Sequence, residues 1–234
     1  MYRHYQRILW DDEFTRGNVK PVDDEYFNEF HTYGPIGIFL IDMRGNRITG
    51  DGVQKSDNPI VSDVQWEYFQ NVELLFFPPR FLFVGDDPVS IRDKAAKFDF
   101  LTDHWPYNLE DLTTLLDLLF DWKSQDEDGR EVLLLGGDIH CGVSSVIRDK
   151  NTDLTINHLT TSPVTNHVCK FFPDLHGDIN ERYSYDHIVL GANQRNYAEI
   201  SITIKPEFSV TAQLKAISTN MYKITDWMSD EEEG

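Results

Sequence analysis

Cysteine is nearly absent: Cys141 and Cys169 are the only two in 234 residues. That argues against a disulfide framework and favours free thiols in a reducing, cytoplasmic compartment. Basic side chains are scarce too. Lys and Arg number 21 against 40 Asp and Glu, a net charge of −19, so long-range electrostatics repel nucleic-acid backbones and anionic membranes. Nucleic-acid binding is therefore not expected. Long apolar runs are also missing. The most apolar stretch, Val72 to Val84, is broken by Glu73, Pro78, Pro79 and Arg80, well short of the roughly 20 residues that span a bilayer. No membrane insertion is expected. The first residues, MYRHYQRILWDDE, mix charges among apolar side chains and do not read as a secretory signal.

What is present is the composition of a folded globule. Hydrophobic residues make up 40% and aromatics 13%, with 15 Phe, 10 Tyr and 5 Trp, enough for a sizeable core. No repeat and no Pro- or Ser-rich linker divides the chain, so one domain over residues 1–228 and an acidic tail at 229–234 are expected. Ile36-Gly-Ile-Phe-Leu-Ile41 reads as a strand buried on both faces, with Asp42 and Arg44 at its end. Ser62-Asp-Val-Gln65 has the capping-box pattern and predicts a helix through about Asn71. Phe81 to Val84 is a further strand, and Val89 to Lys97 a mixed charged helix. Asn108 can cap the helix whose Leu112, Leu115, Leu116 and Leu119 recur at helical spacing through Trp122. Val132 to Leu135, bounded by glycines, predicts a central strand. Five further strand-like runs follow: Val143 to Ile147, Leu154 to Leu159, His187 to Leu190, Tyr197 to Ile204 and Phe208 to Leu214. Together they predict a layered α/β architecture, partly parallel and partly antiparallel.

Gly136-Gly-Asp138-Ile-His140 is the most informative segment, since a strand tip followed by glycines exposes side chains where α/β sheets meet ligands. Residues two apart in extended chain point the same way, so Asp138 and His140 can converge on one metal ion. An Asp capping the turn and a His held by a backbone carbonyl fit the same spacing. Cys141 reads as a small core residue, and His158 and His187, within strand-like runs, as structural.

Four segments in order carry a resemblance: Gly34-Pro-Ile-Gly-Ile-Phe-Leu-Ile-Asp-Met-Arg-Gly-Asn-Arg47, Asp103-His-Trp-Pro-Tyr107, Leu133-Leu-Leu-Gly-Gly-Asp-Ile-His-Cys-Gly142 and Leu159-Thr-Thr-Ser-Pro-Val-Thr-Asn166. They resemble the PhoD-like phosphatases, a branch of the calcineurin-like metallophosphoesterases. The resemblance implies a layered sandwich of two mixed β-sheets flanked by helices, and a dinuclear centre of divalent or trivalent metal ions (Fe, Ca, Mn or Zn) at the strand tips. It implies hydrolysis of phosphate mono- or diesters. His140 would be a metal ligand and Asp138 a ligand or its supporting partner. Asp103 and Trp105 match the loop beside the centre, with Asp103 a candidate catalytic residue and His104 a candidate acid for the leaving group. Arg44 matches a strand-end Arg suited to clamping phosphate, although an Asp42–Arg44 structural pair explains it equally well. Trp105, Asn166 and His167 would line the substrate pocket.

The resemblance also implies ligands that this sequence lacks. The family draws most of its ligands from an earlier half with an Asp-rich first strand, a Gly-Asp motif and a Trp-Asp-Asp-His segment. Here Trp10-Asp-Asp-Glu13 echoes the last of these with Glu13 in place of His. The expectation is a chain that begins mid-domain, incomplete at its N-terminus and not a competent phosphatase by itself. The rival expectation is a catalytically inactive remnant acting as an interaction or structural module.

Overall fold

The computed structural model describes residues 29–43, 59–74, 81–85, 105, 108–125, 129–137, 142–161, 176–189, 194–204 and 208–217. In chain order these form β1 (Glu29–Tyr33), β2 (Ile36–Leu40), α1 (Asp63–Leu74), β3 (Phe81–Gly85), α2 (Leu109–Ser124), β4 (Glu131–Gly136), β5 (Val143–Asp149), β6 (Thr155–Thr160), β7 (His176–Asp178), β8 (Tyr183–Val189), β9 (Asn196–Thr203) and β10 (Ser209–Ala216). The expected helix at 89–97 and the acidic tail at 229–234 lie outside the described residues.

Eight strands build one mixed sheet in the order β1-β2-β3-β4-β6-β5-β8-β7. Its central block, β2-β3-β4-β6, is parallel, and the remaining pairings are antiparallel. The apolar run of β4 explains its central place. Val132 and Leu134 enter one core and Leu133 the other, as the period of two requires. β1 joins β2 through a two-residue loop in which Gly34 takes φ +62, a conformation glycine adopts without steric cost.

Both helices cover one face. Leu112, Leu115, Leu116 and Leu119 are wholly buried on α2 and pack with Phe39, Phe69, Val84, Trp105, Ile147, Ile156, Tyr183 and Tyr185. Both helix starts form as the residues dictate: Ser62 Oγ accepts from Gln65 N at 3.3 Å while Gln65 Oε1 accepts from Ser62 N at 2.9 Å, and Asn108 Oδ1 accepts from Asp111 N at 3.2 Å. At the far end of α2, Lys123 Nζ donates to Glu131 Oε2 at 2.6 Å, tying the helix to β4.

The other face carries the β9–β10 hairpin, whose Ala198, Ile200, Phe208, Val210 and Leu214 pack on Ile36, Leu133 and Leu159. The layers are therefore helices, eight-stranded sheet and two-stranded sheet. The expected mixed α/β layering is present, but the second sheet is antiparallel among the described residues, because a short connection from Thr203 to Ser209 can only fold β10 back on β9. No helix among the described residues is long and apolar enough to cross a membrane.

An ion cluster closes the sheet edge opposite the tip of β4. Asp149 is fully buried and accepts from Arg182 Nη2 at 2.8 Å, Arg182 Nε at 3.1 Å, Asn151 N at 2.9 Å and Thr152 Oγ1 at 3.1 Å. Arg182 Nη1 also donates to Asp117 on α2 at 2.8 Å. Burial opposes the Asp149 charge, yet the Arg182 hydrogen bonds, with those from Asn151 and Thr152, hold its carboxyl below the usual range.

Candidate functional site

Parallel strands deliver their C-terminal ends to one edge, the usual place for ligands in such sheets. β2 leaves that edge at Asp42, β4 at Gly136-Gly137 and β6 at Thr160-Thr161. α2 begins there as well, because it runs back along the sheet before β4. Gly136 and Val143 both register with Thr160, on opposite sides of β6. The end of β4 and the start of β5 therefore stand on opposite sides of β6, roughly 10 Å apart for two strand spacings.

Both of these strand ends are closely packed. Thr161 N donates to Gly136 O at 3.2 Å. At Gly142 a Cβ would stand 2.8 Å from Asn196 Cγ, so any larger residue requires this buried amide to shift. Asn196 is held in turn by Thr161 Oγ1 at 3.0 Å and Gln194 O at 3.2 Å.

The candidate residues Arg44, Asp103, His104, Asp138, His140, Asn166 and His167 lie outside the described residues, as does Cys141. Their neighbours in sequence are described. Arg44 follows the end of β2, Asp103 and His104 precede α2, Asp138 and His140 follow β4, and Asn166 and His167 follow β6. Trp105 is described, and its side chain is wholly buried, 6.3 Å from the Trp66 ring. It anchors the start of α2, where Asn108 N donates to its carbonyl at 2.9 Å. Asp42 is buried, and its carbonyl accepts from Gln65 Nε2 at 2.8 Å.

Two features of this edge are not readable from spacing. Asp111 accepts from Ile60 N at 2.6 Å, from Val61 N at 3.3 Å and from the Trp66 side chain. Burial pushes its carboxyl above the usual range despite these bonds. The other is a buried polar row one layer below the tips. Ser145 registers with His158 on one side and His187 on the other. His187 Nδ1 lies 2.7 Å from Ser145 Oγ, and His158 Nε2 lies 2.9 Å from Thr160 Oγ1. Both histidines are buried within strands, where their positions in sequence place them. Only the register across three strands would have revealed the row in advance.

Among the described residues no three His, Cys, Asp or Glu side chains form a group that could hold a metal ion. No protein-family model matches the chain, no curated protein matches it, and no solved structure matches it.

Proposed function

We propose that the chain carries the closing part of a PhoD-like, metal-dependent hydrolase of phosphate mono- or diesters, with a metallophosphoesterase-like sandwich as its fold. One observation supports the reading above others. Three strand ends and one helix start, which lead in sequence to Arg44, to Asp138 and His140, to Asn166 and His167, and from Asp103 and His104, share one sheet edge. The donor chemistry fits a borderline cation: a carboxylate and an imidazole two residues apart, between Gly137 and Gly142. Asp138 and His140 would hold the metal, which when bound would supply an activated water and charge neutralisation for the phosphoryl group. Arg44 would clamp phosphate oxygens in a bidentate pair. His104 would deliver a proton to the leaving oxygen, and Trp105, packed beneath, would fix the loop that carries it. Asn166 and His167 would line the pocket.

The test is metal content. After reconstitution with manganese, iron, zinc or calcium, elemental analysis should find metal retained by the parent chain and reduced in His140→Ala. Unchanged content refutes the ligand assignment. Aryl phosphate mono- and diesters form the second arm. Turnover by residues 1–234 alone, abolished in His140→Ala, would refute the expectation that further ligands are needed.

A second reading, an interaction module, draws on the β9–β10 hairpin, where Tyr197, Ile202 and Ile204 are exposed beside strand edges that no other described strand pairs with. It predicts a chain that retains no metal at all in the same experiment.

A further inference from the structure

We propose that Asp111 is a positioning residue that couples the start of α2 to the end of β2, with Gln65 as the link between them. The Asp111 carboxylate takes the amide protons of Ile60 and Val61 at 2.6 and 3.3 Å. It thereby pins the turn that opens α1 against the first turn of α2. From that turn, Ser62 N donates to Gln65 Oε1 at 2.9 Å, and Gln65 Nε2 reaches back to the Asp42 carbonyl at 2.8 Å. Asp111, Ile60, Val61, Gln65 and Asp42 are all buried, so water does not readily replace a lost partner. Two chain segments far apart in sequence, one leaving β2 and one beginning α2, thus keep a single relative geometry.

The functional consequence rests on the reading given above, in which Arg44 follows β2 as a phosphate clamp. Asp138 and His140 follow β4, which this chain of hydrogen bonds does not touch. Loosening the coupling therefore acts on phosphate binding and leaves metal retention alone.

The experiment compares the full chain with Asp111→Ala, Asp111→Asn and Gln65→Met by amide hydrogen exchange and by affinity for inorganic phosphate and manganese. Asp111→Ala should speed exchange roughly tenfold at Ile60 and Val61 and also in the peptide from Ile41 to Arg47. Gln65→Met should speed exchange in the latter peptide and at Ser62, whose amide loses its Gln65 acceptor, and leave Ile60 and Val61 protected. Asp111→Asn, which keeps an acceptor oxygen, should restore most of the protection. Phosphate affinity should fall roughly tenfold in Asp111→Ala and Gln65→Met with manganese affinity unchanged. Unaltered exchange from Ile41 to Arg47 in both variants overturns the coupling. Accelerated exchange with unaltered phosphate affinity upholds the coupling and refutes Arg44 as the clamp; a parent that binds neither probe refutes the proposed function, while exchange alone still decides the coupling.

Discussion

Arg182→Leu is the most informative perturbation of the fold, because it removes one partner of a buried ion pair and leaves the other in place. In the parent, Asp149 is fully buried and accepts four hydrogen bonds, two of them from Arg182. The variant leaves a buried carboxylate with only Asn151 and Thr152. Stripping a buried pair of one partner costs about 3–5 kcal/mol. The Arg182 side chain is 32% exposed, so some of that loss is made up by water and about 3 kcal/mol is the better figure. For a domain of this size, that lowers the melting temperature by roughly 6–12 °C. The sign with pH follows from the direction of the Asp149 shift. Its carboxyl titrates below the unfolded value of 3.8, so the stabilisation is fully present above that pH and is lost as pH falls through the folded value. The penalty of Arg182→Leu should therefore be full at neutral pH and fade in acid, where Asp149 takes up a proton. Thermal unfolding followed by near-ultraviolet circular dichroism, at neutral pH and at a pH well below 3.8, measures both. A variant melting within about 2 °C of the parent at neutral pH, or losing the same amount at both pH values, would refute the reasoning.

Two further substitutions probe the packing. Gly142→Ala should cost about 1–3 kcal/mol, since the new methyl stands 2.8 Å from Asn196 Cγ and the amide is held by Thr161 and Gln194; a denaturant midpoint equal to the parent's would show that Asn196 gives way. Leu116→Ala empties a wholly buried position at the centre of α2 and should cost about 2–5 kcal/mol, read as a shift in midpoint at unchanged slope.

The elements most legible in the sequence are those with strong local signals. The leucine spacing of α2, the Ser62–Gln65 box of α1 and the apolar runs of β2 and β4 all lead to elements in their expected places. β1 and β7 carry no such signal. Glu29–Tyr33 is polar and aromatic, and is a strand because a two-residue loop lays it along β2. His176–Asp178 spans three residues at the sheet margin and owes its conformation to pairing with β8. The order β4-β6-β5 is likewise invisible locally, because it depends on β6 inserting between strands that precede it in sequence. The same limit applies to the site. Asp138-Ile-His140 stands out as a motif, whereas Asp111 reads as one more acid in a helical first turn. Its partners at Ile60 and Val61 lie 51 and 50 residues away, and nothing in the local pattern marks it as buried.

Convergence at one edge and chemistry at that edge are separate questions. Any parallel block gathers the chain ends that leave its strands, whatever residues follow. Here the block gathers four, those of β2, β3, β4 and β6. That much follows from register and would hold for a chain with no activity. Chemistry enters only with the donors, and a surrounding charge of −19 sharpens the requirement. An anionic phosphate ester approaching an acidic protein needs a local positive charge to overcome repulsion, which, on the proposed reading, Arg44 alone would supply weakly and a bound cation strongly. Loss of metal in His140→Ala and loss of phosphate affinity in Asp111→Ala therefore interrogate different links: the former the donor set, the latter the geometry that presents the clamp.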